Sequence, residues 1–373
     1  MGTRRFVAGT ALGRDVPPNA GEAPLLRAGV ELTESHREAL LRAGINAVYV
    51  DDSASADIDI VAALSDRTRS EARSALNSAF KAAPSVAAGS GTFSNEQMRD
   101  FHDVVEKIAS EISSVGDAAL ALSDLAASDA YTMEHTIDVT VVGLLIARHL
   151  FQTRGRVDWR GERSYDRIDH HLTQLGVGLF LHDIGKLAIP AGILHKPGKL
   201  TDEEWELIRQ HPEIGIEMIP SDAIWPRAKD VIRSHHERWD GSGYPRGLET
   251  EDIQPFSRIA AVADVFDAIT SERSYACAQP QHVGVETIRA GAGTLFCPEV
   301  VGAFLEIVPP YPPGHEIVLA DGSEGVVVAV PPKQVDLPHV RVLRDGDGKD
   351  LAEPREVFLS ERPELAPRAP VAV

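Results

Sequence analysis

Residues Thr132 to Phe151 are apolar almost all round, and a helix without a polar face has to be enclosed by other elements. That stretch alone asks for a helical body with a buried centre. His135 sits inside it, and Asp264 sits inside a second apolar helical stretch, residues 257 to 270, which places Ile259, Val262, Phe266 and Ile269 on one face. Ionisable groups in such surroundings are costly unless they are paired or bound to a cation.

At 373 residues the chain has room for roughly two or three domains of about 150 residues. Its 43% hydrophobic and 25% charged residues are those of an ordinary globular protein. Residues 1–55 read as a small α+β regulatory domain: apolar runs at Leu25-Leu26 and Val30-Leu32, a helix from Thr33 to Arg42 with a Ser35-x-x-Glu38 capping box and Gly44 at its end, then a strand from Asn46 to Val50. Residues 56–120 read as a connector. After Ser94, an N-cap, Met98, Phe101, Val105, Ile108, Ile112 and Val115 recur as a heptad seam. Such a seam either packs on the chain's own domain or zips a homodimer through helix 96–116. Residues 121–305 are dominated by helical patterns, with a capping box at Thr201-Asp-Glu-Glu204. From 306 to 373 a proline linker leads into β-branched runs, Glu316 to Val330 and His339 to Val342, with Asp321-Gly322 and Asp345-Gly346 as turns. Asp345-Gly-Asp-Gly-Lys-Asp350 is out of register for a calcium loop.

Lys plus Arg number 37 against 56 Asp plus Glu, a net charge of −19. An acidic surface disfavours long nucleic acids and anionic membranes, which need basic stripes, but it permits a small anion at one local positive site. Cys277 and Cys297 have neither disulfide nor zinc-knuckle spacing. The N-terminus is too weakly apolar for a signal peptide, and no run approaches a membrane span. These features point to the cytoplasm.

Histidine is the informative residue. Of the fourteen, the dense clusters are His182-Asp183-Ile-Gly-Lys186, His211-Pro212 and His235-His-Glu-Arg-Trp-Asp-Gly-Ser-Gly-Tyr-Pro245. Singly, each has an ordinary explanation: a hydrogen-bonded core histidine at His135, a satisfied carboxylate at Asp264, a helix-end charge at His211, surface residues at His235 and His236. Jointly they point to a metal site, with Asp183 as the carboxylate whose two oxygens can bridge two cations.

From Asp129 to about Tyr275 the chain resembles the HD-GYP family, the HD-domain metal-dependent phosphohydrolases that hydrolyse cyclic di-GMP. The likeness rests on Asp129 to His135, His182 to Pro190, Ile193 to Thr201, His211 to Gly215, the complete His235 to Pro245 segment, Ala263 to Ala268 and Thr270 to Tyr275. It implies a mainly α fold, an HD-domain helical bundle flanked by the N-terminal α+β domain and the C-terminal β extension. It implies one metal on His135, His182, Asp183 and Asp264 and a second on Asp183, His211, His235 and His236, iron or manganese by donor type. Some members hold a third metal through a glutamate four residues before the first histidine; Tyr131 stands there, so two are expected. Lys186 would meet the substrate phosphate, assisted by Arg273. Tyr244 would stack on guanine, contact a partner, or pack beside the site. The implied chemistry is attack by a metal-activated hydroxide, yielding pGpG and, in an open cleft, GMP. Diguanylate cyclases (GGDEF) or effectors are the implied partners. The rivals are another cyclic dinucleotide, such as 3'3'-cyclic GMP-AMP, and a non-catalytic cyclic di-GMP sensor. His170 and His171 read as surface or supporting groups, His149 and His195 as structural, Trp239 as a packing anchor, and Glu237 as either an acceptor orienting a ligand histidine or a surface residue.

Overall fold

The computed structural model describes residues 8–367 except 14, 17–23, 43–44, 46–47, 49, 52–56, 59–61, 86–91, 115–130, 158–161, 195, 197 and 272–277. Arg273, Val115, His195 and Cys277 therefore lie outside the described residues.

In the N-terminal region β1 (Ala11–Leu12) pairs antiparallel with β2 (Val50–Asp51), and α1 (Glu34–Arg42) falls between them in sequence. Thr33 caps α1, its hydroxyl accepting from the His36 N–H at 3.2 Å while its own N–H donates to His36 Nδ1 at 3.3 Å. The cap thus lies two residues before the expected Ser35, which is already in the first turn. Leu12, Val16, Leu32, Leu40, Ile45 and Val48 form a small core of their own.

The helical body comprises α2 (Asp66–Ser85), α3 (Asn95–Ser114), α4 (Tyr131–Thr153), a hairpin of β3 (Arg156–Val157) and β4 (Arg163–Ser164), and α5 (Ile168–Leu181). A 3-10 turn at Ile184–Ala188 follows, then α6 (Ala191–Leu194), α7 (Asp202–Ile208), α8 (His211–Glu217), α9 (Pro226–Ser234), α10 (Pro255–Thr270), α11 (Gln281–Ala290) and α12 (Pro298–Ile307). The all-round apolar α4 is enclosed by α2, α3, α5, α10 and α12. Reciprocal capping boxes start α3, through Ser94 and Gln97, and α7, through Thr201 and Glu204.

Met98, Phe101, Val105, Ile108 and Ile112 are all buried in this same core, where α3 packs on α2, α4 and α5. The heptad seam is therefore covered within the chain. Among the described residues the seam leaves a homodimer through helix 96–116 no exposed apolar surface, and the outward face carries Glu96, Arg99, Asp100, Asp103 and Glu106. The stretch expected as a connector thus contributes two helices to the core that holds the site.

β5 (Glu316–Val318), β6 (Glu324–Ala329), β7 (His339–Arg344) and β8 (Asp350–Phe358) form an antiparallel meander around Ile317, Val327, Val340, Val342 and Leu359. Asp321 and Asp345 close its turns by accepting backbone N–H groups, from Ser323 and from Asp347 and Lys349. Among the described residues no helix is long and apolar enough to cross a membrane.

Candidate metal centre

The clustered residues come from helix ends and one helix interior. His135 lies in the second turn of α4, His182 and Asp183 follow α5, His211 begins α8, His235 and His236 follow α9, and Asp264 is midway along α10. Helix ends leave carbonyls without intrahelical partners, and these orient the rings. His182 Nδ1 donates to Leu179 O at 2.6 Å, His211 Nδ1 to Ile208 O at 2.7 Å, and His235 Nδ1 to Ile232 O at 3.0 Å. A carbonyl only accepts, so Nδ1 carries a proton, and Nε2 is the atom that each ring turns inward.

Those atoms assemble into two adjoining sets, Asp183 with His211, His235 and His236, and His135 with His182 and Asp264, the ligand atoms of each set lying within 4.8 Å of one another. Asp183 spans both. Its Oδ1 is 3.3 Å from His211 Nε2 and 3.7 Å from His235 Nε2, while its Oδ2 is 3.5 Å from His182 Nε2 and 3.7 Å from His135 Nε2. Asp264 also faces both ways, Oδ1 toward His135 Nε2 at 3.2 Å and Oδ2 toward His236 Nδ1 at 3.6 Å. Ligands about 2.1 Å from a common ion sit about 3.0–3.5 Å apart at octahedral or tetrahedral angles, so these spacings are near those of coordination edges.

Two atoms test the fit directly. His182 Nε2 and Asp183 Oδ1 are buried and have no hydrogen-bond partner, an arrangement that costs on the order of 1–3 kcal/mol per group unless a ligand satisfies it. Protonation agrees. Burial opposes charge on Asp183, but Lys186 and the surrounding histidines outweigh it and hold the carboxyl well below its usual range. Asp264 behaves likewise, with His135 and His236 as the opposing groups. Burial pushes His182 down to about 4 and His211 and His236 below their ordinary value. Ionised carboxylates and neutral imidazoles are the forms that ligate metals, and this mixed donor set fits divalent ions.

Close packing sets the spacing. A Cβ on Gly185 would lie 1.9 Å from His211 O, so glycine alone lets the 184–188 turn press against α8 and bring Asp183 to His211. A Cβ on Gly243 would lie 2.4 Å from Arg238 N, which keeps the 241–248 loop folded against the end of α9. Glu237 anchors that loop too: its carboxylate accepts the Arg246 and Leu248 N–H groups at 2.8 and 3.0 Å. It thus holds the loop and orients no ligand histidine. Tyr244 stacks on His236 with ring centroids 4.7 Å apart, the Arg209 guanidinium lies 4.9 Å from its ring centre, and burial raises its pKa. Lys186 Nζ donates to Asp183 Oδ2 at 2.6 Å. All seven expected ligands, Lys186 and Tyr244 are therefore brought together, while Arg273 lies outside the described residues.

Four contributors escaped sequence reasoning. Asp267 Oδ2 accepts from His135 Nδ1 at 2.6 Å; its place one turn after Asp264 was the available signal. Gly185 lies inside the His182 to Lys186 run, and nothing local shows that it must pass a backbone carbonyl. Arg69 and Arg73 of α2 pair with Glu134 and Asp138 of α4, a contact that no local pattern announces. Among the described residues the other histidines stay outside: His149 pairs with Glu306 at 2.6 Å, and His170 lies against His171 and Trp225. Trp239 packs under Arg258, with the guanidinium 5.2 Å from its ring centre.

Residues 168–300 match the family described as HD domain, and His135 contributes from α4, ahead of the matched segment. The matched segment is an HD domain. It is 37% identical over 243 residues, 64% of this chain, to the cyclic di-GMP phosphodiesterase PA4108 of Pseudomonas aeruginosa. Over 157 residues, 41% of this chain, it is 41% identical to a cyclic di-GMP phosphodiesterase of Thermotoga maritima. It is also 44% identical over 128 residues, 34% of this chain, to 3'3'-cGAMP-specific phosphodiesterase 2 of Vibrio cholerae. The chain spans 54%, 43% and 24% of those relatives' lengths, respectively.

Proposed function

We propose that this chain is a metal-dependent phosphodiesterase that opens cyclic di-GMP to linear pGpG, and onward to GMP where the linear end is readmitted. The observation that carries the reading is the division of Asp183 between two ligand sets, one carboxylate oxygen turned to each. His135, His182, Asp183 and Asp264 would hold one divalent ion and Asp183, His211, His235 and His236 another, of the iron or manganese kind. Bound there, the pair would lower the pKa of a water and stabilise charge on phosphoryl oxygens.

The chain's own residues do the rest. The Nδ1 hydrogen bonds to backbone carbonyls keep three imidazoles from rotating away. Lys186, half-exposed beside Asp183, offers a fixed positive charge where an anionic phosphate gains charge in the transition state. Tyr244 and Arg209 wall the approach, and Arg273 is proposed to add a second cation. Because the chain's net charge is −19, affinity for a dianionic substrate would depend strongly on occupancy of the two ligand sets.

The similarity to a relative named as specific for 3'3'-cGAMP supports that dinucleotide as the second reading. The test is turnover of both cyclic dinucleotides by protein reconstituted anaerobically with iron(II) or manganese(II), with products separated chromatographically. Conversion of cyclic di-GMP to pGpG, abolished by His182→Ala, is expected; faster turnover of 3'3'-cGAMP would transfer the assignment. Stoichiometric binding of cyclic di-GMP by fully metallated protein without cleavage would replace catalysis by sensing.

A further inference from the structure

Outside the ligand shell the helical body buries a second cluster of charge. Glu134 and Asp138 of α4 are 3% and 7% exposed, and Arg69 of α2, itself 7% exposed, bridges them. One guanidinium nitrogen lies 3.0 Å from Glu134 Oε2 and 2.8 Å from Asp138 Oδ1, and Arg73 pairs with the other Glu134 oxygen. Burying such a network is expensive, and it supplies no atom to either ligand set.

Its location gives it a use. Glu134 adjoins His135 in sequence, and Asp138 lies three residues beyond that ligand. His135 is the fifth residue of α4, close to the end where a helix has unpaired N–H groups and frays most readily. The other set is built on the turn after α5 and on the ends of α8 and α9. We infer that Arg69 is a positioning residue for the first metal set: by tying Glu134 and Asp138 to α2 it fixes the axial and rotational setting of α4, and with it the direction of His135 Nε2. The inference rests on the two-metal reading above.

The test is metal titration of the full-length protein, with bound metal per chain counted by mass spectrometry after dialysis. Wild type should hold two equivalents. Arg69→Met should hold one, with the remaining equivalent bound within about threefold of the wild-type affinity. Arg69→Lys, which keeps the charge on a shorter stem that ends short of the position where the guanidinium nitrogen meets both carboxylates, should bind the vulnerable equivalent about 10- to 100-fold more weakly than wild type, the usual scale for lost support of a ligand. The lysine variant also decides the matter if Arg69→Met does not fold. Two wild-type affinities in either variant, or an equal fall in both affinities with loss of thermal stability, would overturn the positioning role. Fewer than two equivalents on wild type would instead overturn the two-metal reading.

Discussion

Replacing Gly185 with alanine perturbs the site without touching a ligand. The added Cβ would stand 1.9 Å from His211 O and 2.6 Å from Gly215 N, where real contacts essentially never fall below 3.0 Å. Both neighbours are backbone, so no side chain can swing aside, and the 184–188 turn and α8 must separate by about 1 Å. Overpacking of this kind costs about 1–3 kcal/mol, or several degrees in Tm for a chain of this size. The local effect is larger. His211 Nε2 now lies 3.3 Å from Asp183 Oδ1, and metal–ligand distances tolerate only about 0.2 Å, so the set of Asp183, His211, His235 and His236 should lose its ion while the set containing His135 keeps its own. Turnover should fall at least 100-fold, the order expected for a 1 Å misplacement. Metal counting, thermal unfolding and dinucleotide turnover on one preparation read all three effects. A Gly185→Ala protein that retains two equivalents at wild-type affinity would refute the claim that this glycine sets the spacing.

Three other outcomes follow from the same geometry. Asp267→Ala removes the acceptor 2.6 Å from His135 Nδ1 and should weaken the first metal set about 10- to 100-fold, read by competition with a chelating dye; an unchanged affinity would show that the ring is held by packing alone. Burial opposes charge on His135, but hydrogen bonds to Asp264 and Asp267 prevail and raise its pKa from 6.5 to about 10, so ligation near neutrality must expel a proton from Nε2. Affinity of that set should rise about tenfold per pH unit from 7 toward 10, and calorimetry at pH 7 in buffers of different ionisation heat should detect about one proton released. The sign for folding is opposite: the stability that charged His135 lends the metal-free protein is complete below 6.5 and is lost as pH rises through about 10. Glu237→Ala strands the Arg246 and Leu248 N–H groups at about 1–3 kcal/mol each, which should hasten proteolysis within 241–248 and raise KM while both metals stay bound; unchanged proteolysis would mean that Gly243 packing alone holds the loop.

The residues themselves determined the chemistry. A histidine inside an apolar helix, an adjacent His182-Asp183 pair and the His235-His236 pair are anomalous wherever they fall, because burial of unpaired polar groups is costly, and the seven residues that the family resemblance implied as ligands lie in two adjoining clusters. The helices bearing them were legible through capping chemistry and apolar period. What periodicity could not say is which surface an apolar stripe meets. The seam of α3 fits a partner chain and the chain's own core equally well, and only the packing of α3 on α2, α4 and α5 assigns it to the core. Likewise Arg69 lies 65 residues from Glu134, and Gly185 needs to be glycine because of a carbonyl 26 residues further along the chain. Such contacts depend on where the chain returns in three dimensions, and the tertiary structure alone decided which residues hold the metal ligands in register.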